Sequence, residues 1–307
     1  MPDRYQKTIC SKVSLDGIGL HTGIKSTINI KPAKENRGIV FKRIDLKENP
    51  VIKADVDYVI DTNRGTTLEQ NGIRIHTVEH VLAALRGLGI DNVTIELSCA
   101  EPPIMDGSAL SFVRALKKVG IVAQSVIQEV YKVTEPIQFN DPENDIEINL
   151  LPAERFKITF FMDYGLPNFG LQYVFIEDIE GEFEEEVAPA RTFGLLSEVS
   201  QLKQNGLIKG GGPNNAIIIV DENVDEDEQN ILSKLFGLNK ETIFNNGEIL
   251  NNEGLHFENE PVRHKVLDLI GDMSLFGKPI IGHIIATRSG HRTNIEFIRK
   301  LRRIVKS

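Results

Sequence analysis

The sequence predicts an α+β protein of two domains, and three observations predict it. Short alternating apolar stretches are interleaved with longer stretches of helical periodicity. The order through Gly120 is strands, helix, strand, helix, and a β-rich pattern restarts at Glu129. The boundary is placed near residues 123–128, giving domains 1–125 and 126–307. With 307 residues, 41% apolar and 26% charged, the composition is that of a folded chain rather than a disordered one.

Residues 8–15 alternate as a strand, and the glycine-punctuated turn at 16–23 leads into a second strand, 25–31, with Ile28 and Ile30 two apart. The turn glycines do not form Gly-x-Gly-x-x-Gly ahead of a helix, which argues against a dinucleotide site. Residues 38–44 and 66–75 read as strands. Residues 76–88 place Val78, Val81, Leu82, Leu85 and Leu88 on one face of a helix. Residues 92–97 form a strand, and Ser108 caps a helix that Gly120 ends.

In the second half, residues 130–133, 146–150 and 156–162 are strands, and 190–220 runs strand, helix, glycine-rich turn, strand. Gly210-Gly-Gly-Pro213 lacks the Gly-Lys-Ser/Thr of a P-loop, so it is a tight turn. An acidic loop at 221–228, a short helix at 229–238 and an Asn-rich stretch at 245–252 follow. Residues 263–272 are a buried helix, 279–286 a strand and 294–305 an amphipathic helix. The basic cluster 299–303 reads as a solvated end of that helix.

A balance of 35 basic against 44 acidic residues argues against broad nucleic-acid binding. Cys10 and Cys99 make no disulfide framework and belong to no Cys-x-x-Cys pair. Without a signal-peptide core or a run of 18 apolar residues, the expectation is a cytoplasmic, monomeric protein with no transmembrane segment and at most peripheral membrane contact.

The chemistry gathers on the 263–272 helix, where His264, Asp268 and Asp272 recur every four residues and share one face. Val266, Leu267, Leu269 and Ile270 fill the other faces, so the acidic stripe is buried and needs partners. A histidine and a carboxylate one turn apart make two thirds of a catalytic zinc site. The third ligand is expected from His80, beside Glu79, which reaches a coordinated water as general base. His291, after Ser289-Gly290, is the candidate general acid, with Asp272 holding its charge. One alternative stays open: His76-x-x-Glu79-His80 is the inverzincin pattern, with both histidines on the metal of a peptidase.

Six ordered stretches then carry a resemblance across nearly the whole chain. They are Gly19-Leu-His-Thr-Gly23, Thr77-Val-Glu-His80 continuing to Gly89-Ile-Asp-Asn92, Pro103-Ile-Met-Asp-Gly-Ser108, Ala190-Arg-Thr-Phe-Gly194, Arg263-His-Lys-Val-Leu-Asp268 with Gly271-Asp272, and Ser289-Gly-His291. Together they resemble the UDP-3-O-acyl-N-acetylglucosamine deacetylases of lipid A synthesis. The resemblance implies a zinc amidase (cofactor Zn2+) acting on a UDP-linked acyl glucosamine. His80, His264 and Asp268 would be ligands, Glu79 the base, His291 the acid and Asp272 its partner. Thr192 would support the oxyanion, and Lys265 would be a cation in the site.

It further implies that each domain layers a sheet with helices, the helices of both domains being sandwiched between two outer sheets. A β-α-β insert at about 190–220 would form an acyl passage, with Phe193, Leu196, Val199, Leu202 and Leu207 as candidates. Tyr164 would lie near the uridine, and His21 and Gly290 complete the substrate-binding set. The chain departs from the family pattern by an extra insertion at about 221–252. Some relatives carry a fused acyl-carrier dehydratase, of which these 307 residues contain nothing.

Overall fold

The structure is a computed structural model that describes residues 4–165, 170–221, 249–250 and 254–306. Its first part runs β1 (Tyr5–Ile9), β2 (Val13–Ile18), β3 (Lys25–Pro32), β4 (Ile39–Arg43), β5 (Val51–Lys53), β6 (Val59–Asp61), β7 (Thr67–Gln70) and β8 (Ile73–Ile75). Helix α1 (Glu79–Gly87), β9 (Val93–Leu97), α2 (Leu110–Val119) and β10 (Ile121–Ile127) follow. The second part begins with β11 (Tyr131–Lys132), β12 (Ile137–Asp141), β13 (Ile146–Leu151), β14 (Phe156–Asp163), β15 (Leu171–Ile176) and the short α3 (Ile179–Glu182). It continues with β16 (Phe193–Leu195), α4 (Leu196–Gln204), β17 (Ile217–Ile219), β18 (Ile249–Leu250), α5 (Glu260–Ser274), β19 (Ile280–Thr287) and α6 (His291–Lys306).

Two large sheets bound the molecule. The first has the order β2-β3-β9-β4-β5, and the second β12-β13-β19-β14-β15 with β11 beside β19. Strand β14 buries Phe156, Ile158, Phe160 and Met162 at alternate positions, so one face of its sheet meets the core. Helix α2 packs on β2, α5 on β14 and β15, α6 on β12, and α1 against both α2 and α5. One continuous apolar cluster runs through both sheets and through α1, α2, α5 and α6. The helices therefore lie between the sheets, as the resemblance implied.

Several local expectations change. Residues 8–15 do not form one strand: β1 leaves the first sheet and pairs antiparallel with β10, which occupies the stretch expected to separate the domains. Residues 66–75 are a hairpin, not one strand, because Asn71 and Gly72 turn it with φ of 53° and 77°. The helix expected from His76 starts at Glu79, since Thr77 sits at φ 53°, where a right-handed helix cannot continue. The expected helix at 229–238 lies outside the described residues.

The crossing of α1 and α5 positions everything that follows. A Cβ on Gly271 would lie 2.2 Å from the carbonyl oxygen of Glu79, so only glycine lets the two helices approach this closely. That contact sets the start of α1 against the middle of α5, deep in the core.

Candidate metal centre

His80 comes from the first turn of α1, and His264 and Asp268 from successive turns of α5. Their donor atoms lie within 4.8 Å of one another, and all three side chains are buried. The two imidazole centroids are 5.1 Å apart. His264 Nδ1 lies 3.0 Å from the carbonyl oxygen of Ala190. A carbonyl only accepts, so Nδ1 carries the donated proton and Nε2 turns toward Asp268 Oδ1, 3.3 Å away.

Burial, and then the neighbouring His264, lower the pKa of His80 to about 3, which keeps it in the neutral, ligating form. Its Nδ1 is buried without a hydrogen-bond partner among the described residues. Asp268 stays ionised well below the usual carboxylate range; burial opposes this, but His264 and Lys265 outweigh it. Two imidazoles and one carboxylate converging on a point are the donor set of a three-ligand zinc site, so these residues fit the ion.

Glu79 and His291 flank the cluster. Burial raises Glu79 to about 7, with Asp268 and Asp272 adding to the effect, while its Oε2 accepts from the Thr66 N–H at 3.0 Å. His291 Nε2 lies 3.9 Å from both Glu79 Oε1 and Asp268 Oδ2. Its Nδ1 is 2.9 Å from Asp272 Oδ2. Burial works against the charge on His291, but Asp272 and Asp268 prevail and raise its pKa to about 10. Asp272 also accepts from Thr66 Oγ1 at 2.6 Å and Asn294 Nδ2 at 2.9 Å. Thr66 and Asn294 were not expected from the sequence, since neither sits in a spacing that marks a site.

A cavity of about 220 Å³ opens on these groups and is lined by Glu79, His80, His264, Asp268 and His291 together with Thr192, Lys265 and Tyr164. Lys265 Nζ donates to Asp268 Oδ2 at 3.1 Å; burial lowers its pKa, but Asp268 more than offsets this and the net shift is upward. Thr192 is fixed through its backbone, donating to the Gly107 carbonyl at 2.8 Å. Gly107 has φ 88°, and a Cβ there would lie 2.2 Å from the Asn215 carbonyl oxygen, which is why the Pro103–Ser108 stretch needs glycine at this point. The Phe193 ring meets both His264 and Tyr164 edge-on, at 6.2 and 5.9 Å.

A second, apolar cavity of about 90 Å³ adjoins the first; Phe193, Val199, Leu202 and Ile218 line it, and His21 lies on its wall. Three expected positions fall elsewhere. Leu196 lines neither cavity, because it starts α4 and turns into the packing at 5% exposure. Leu207 lines a separate cavity with His21 and His76. Gly290 belongs to the turn that opens α6, donating to Thr293 Oγ1, and lines neither cavity.

The inverzincin alternative is not favoured. His76 precedes α1, its Nδ1 is 3.0 Å from Thr67 Oγ1, and it lines the separate cavity rather than the one holding His80. Glu101 was also unforeseen: fully buried, it accepts from the His21 and Thr22 N–H groups at 2.9 Å each and from Thr77 Oγ1 at 2.9 Å, anchoring the Gly19–Gly23 turn.

A His-His-Asp cluster in a helix layer between two sheets, with a buried carboxylate and an imidazole on its open side, has the donor set and the proton-carrying groups that metal-dependent hydrolysis requires. Comparison with known proteins narrows the class. The chain belongs to the UDP-3-O-acyl N-acetylglycosamine deacetylase family, whose model matches residues 6–236 and 228–303. The two matched segments meet inside the stretch expected to be an extra insertion.

The chain is similar to the UDP-3-O-acyl-N-acetylglucosamine deacetylase of Thermodesulfovibrio yellowstonii, 42% identical over 297 residues, covering 97% of this chain and 91% of that protein. The protein of the same name from Myxococcus xanthus is 40% identical over 98% of this chain and 87% of its own length. The Bifunctional enzyme LpxC/FabZ of Chlorobaculum tepidum is 44% identical over 97% of this chain, which spans 64% of that relative's length.

Proposed function

We propose that this chain is a Zn2+-dependent amide hydrolase of the cytoplasm that removes acetate from a UDP-3-O-acyl-N-acetylglucosamine, the committed step of lipid A biosynthesis. The observation that carries the proposal is that Glu79 and His291 face one cavity with His80, His264 and Asp268 in a chain of this family. The names of the similar proteins support the substrate.

His80, His264 and Asp268 would hold the ion, which when bound supplies Lewis acidity and lowers the pKa of a coordinated water toward about 7. Glu79, raised toward neutrality by its dry surroundings, takes a proton from the attacking water. His291, kept charged by Asp272, gives a proton to the departing amine, without which the amide C–N bond does not break. Thr66 and Asn294 hold Asp272 in place for that task. Thr192 and Lys265 line the same cavity and would stabilise the negative charge that grows on the amide oxygen, since donors fixed in advance do so better than donors that must reorganise.

The test is release of acetate from a UDP-linked acyl glucosamine by the purified protein, with and without a chelator. Acetate release that a chelator abolishes and added Zn2+ restores is the expected result. Full activity in the chelated protein would overturn the metal's role, and no release under any metal would overturn the substrate.

A further inference from the structure

The two adjoining cavities share Leu20, Arg64, Thr192, Phe193 and Gly194 in their linings. Arg64 is the one charged residue among these five. It stands in the turn between β6 and β7 with φ 61°, a left-handed conformation that His21 helps to hold by donating from Nε2 to the Arg64 carbonyl at 3.1 Å. Its guanidinium crosses to α4, where Nη1 and Nη2 donate to the two carboxylate oxygens of Glu198 at 2.8 and 2.6 Å. The pair thus joins the first half of the chain to the insert over the place where one cavity gives way to the other. Its side chains are 42% and 32% exposed, so solvent screening leaves it little part in overall stability, and its placement calls for another account.

Continuous passage between a polar, metal-binding cavity and an apolar one suits a substrate with a polar reacting end and an alkyl tail. Such a tail must slide past Arg64. A guanidinium offers five donors, and covering it with methylenes strips water from each. Glu198 takes up two of them in a planar fork, leaving the Arg64 stem as an apolar wall.

We infer that the Arg64–Glu198 pair is a specificity determinant for acyl-chain length, neutralising the Arg64 charge at the junction of the two cavities so that a long chain can enter the apolar one. The inference rests on the deacetylase reading for the identity of the chain. It predicts an asymmetry: a tail too short to reach the junction is indifferent to the pair, whereas a long tail is not.

The experiment compares kcat/KM for butanoyl and tetradecanoyl forms of the UDP-linked substrate, and calorimetric Kd for butanoate and tetradecanoate, in wild type, Glu198→Gln and the double variant Arg64→Leu with Glu198→Leu. Glu198→Gln is expected to cut the long-to-short ratio about tenfold in both measurements, and the double variant to restore it. All variants should keep their Tm within about 2 °C of wild type, as befits an exposed pair. Ratios in Glu198→Gln equal to wild type would overturn the inference. A protein that releases no acetate, yet prefers tetradecanoate and loses that preference in Glu198→Gln, would sink the deacetylase reading while supporting the pair's role.

Discussion

The cavity of the candidate metal cluster and the apolar cavity beside it share Thr192 and Phe193, yet they are built in different ways. The cluster sits where two helices cross in the core, and nearly every polar atom in it has a second restraint: His264 from Ala190, Glu79 from Thr66, and Asp272 from Thr66, Asn294 and His291. The passage is walled by α4 and by a small sheet whose strands, β16 and β17, are three residues each, with the two-residue β18 beside them. Chemistry that depends on tenths of an ångström is carried by the over-determined region. Under the proposed function, accommodation of a tail, which needs only an apolar wall of the right length, would fall to the lighter one.

The buried pair Arg191–Glu260 ties the two regions together. Arg191 begins the insert and Glu260 begins α5; Arg191 donates from N and Nε to Glu260 Oε1 at 3.0 and 2.8 Å and from Nη2 to Oε2 at 3.0 Å. Neither side chain exceeds 3% exposure.

Four substitutions would sharpen or break the contrast. Glu79→Gln should lower kcat by about 10²–10⁴-fold with bound metal unchanged by atomic absorption, since the side chain acts on the water and is not a ligand. Turnover at the wild-type rate would remove Glu79 as base. Glu260→Gln should cost about 3–5 kcal/mol in urea unfolding by removing the buried carboxylate that Arg191 is packed and hydrogen-bonded against.

The same pair gives a pH signature. Burial pushes Glu260 up, but the bonds from Arg191 and from the His256 N–H outweigh it, and its folded pKa lies below the ordinary value. A depressed carboxylate contributes stability above its unfolded pKa and loses it as pH falls through the folded one. The stability gap between wild type and Glu260→Gln should therefore shrink as pH drops below about 4.3. A gap independent of pH across that range would show that the ion pair is not its source.

Gly271→Ala should cost about 1–3 kcal/mol, because the new methyl meets the Glu79 carbonyl and pushes α1 from α5. Metal affinity should weaken with it, as His80 is drawn away from His264; unchanged affinity would separate the crossing from the cluster. Ile218→Val, in the passage wall, should cost about 0.5–1.5 kcal/mol and leave metal content and Glu79-dependent proton transfer untouched. A loss of metal in this variant would collapse the distinction between the two regions.

The polar stripe of α5 was legible because helical spacing puts His264, Asp268 and Asp272 on one face whatever the rest of the chain does. The strands of the two sheets were legible for the same reason, with a period of two in place of 3.6. The hairpin at Asn71-Gly72 has a local signal of its own, the Asn-Gly pair that favours positive φ at both turn positions. The late start of α1 carried none, since nothing in Thr77 announces its left-handed backbone. Leu196 and Leu207 were passage candidates because the family resemblance places the passage in their insert, but membership of an apolar insert does not say which residues touch a cavity and which touch the core.

Local order, residue chemistry and the family resemblance were thus determined by the sequence alone, because backbone sterics and side-chain periodicity act over a few neighbouring positions. Which distant groups meet was decided by the tertiary structure. The approach of His80 to His264, the support of Asp272 by Thr66 and Asn294, and the clasp of Arg64 on Glu198 depend on how close two packed surfaces come. A single missing Cβ at Gly271 governs the nearest of those approaches, and no spacing along the chain records it.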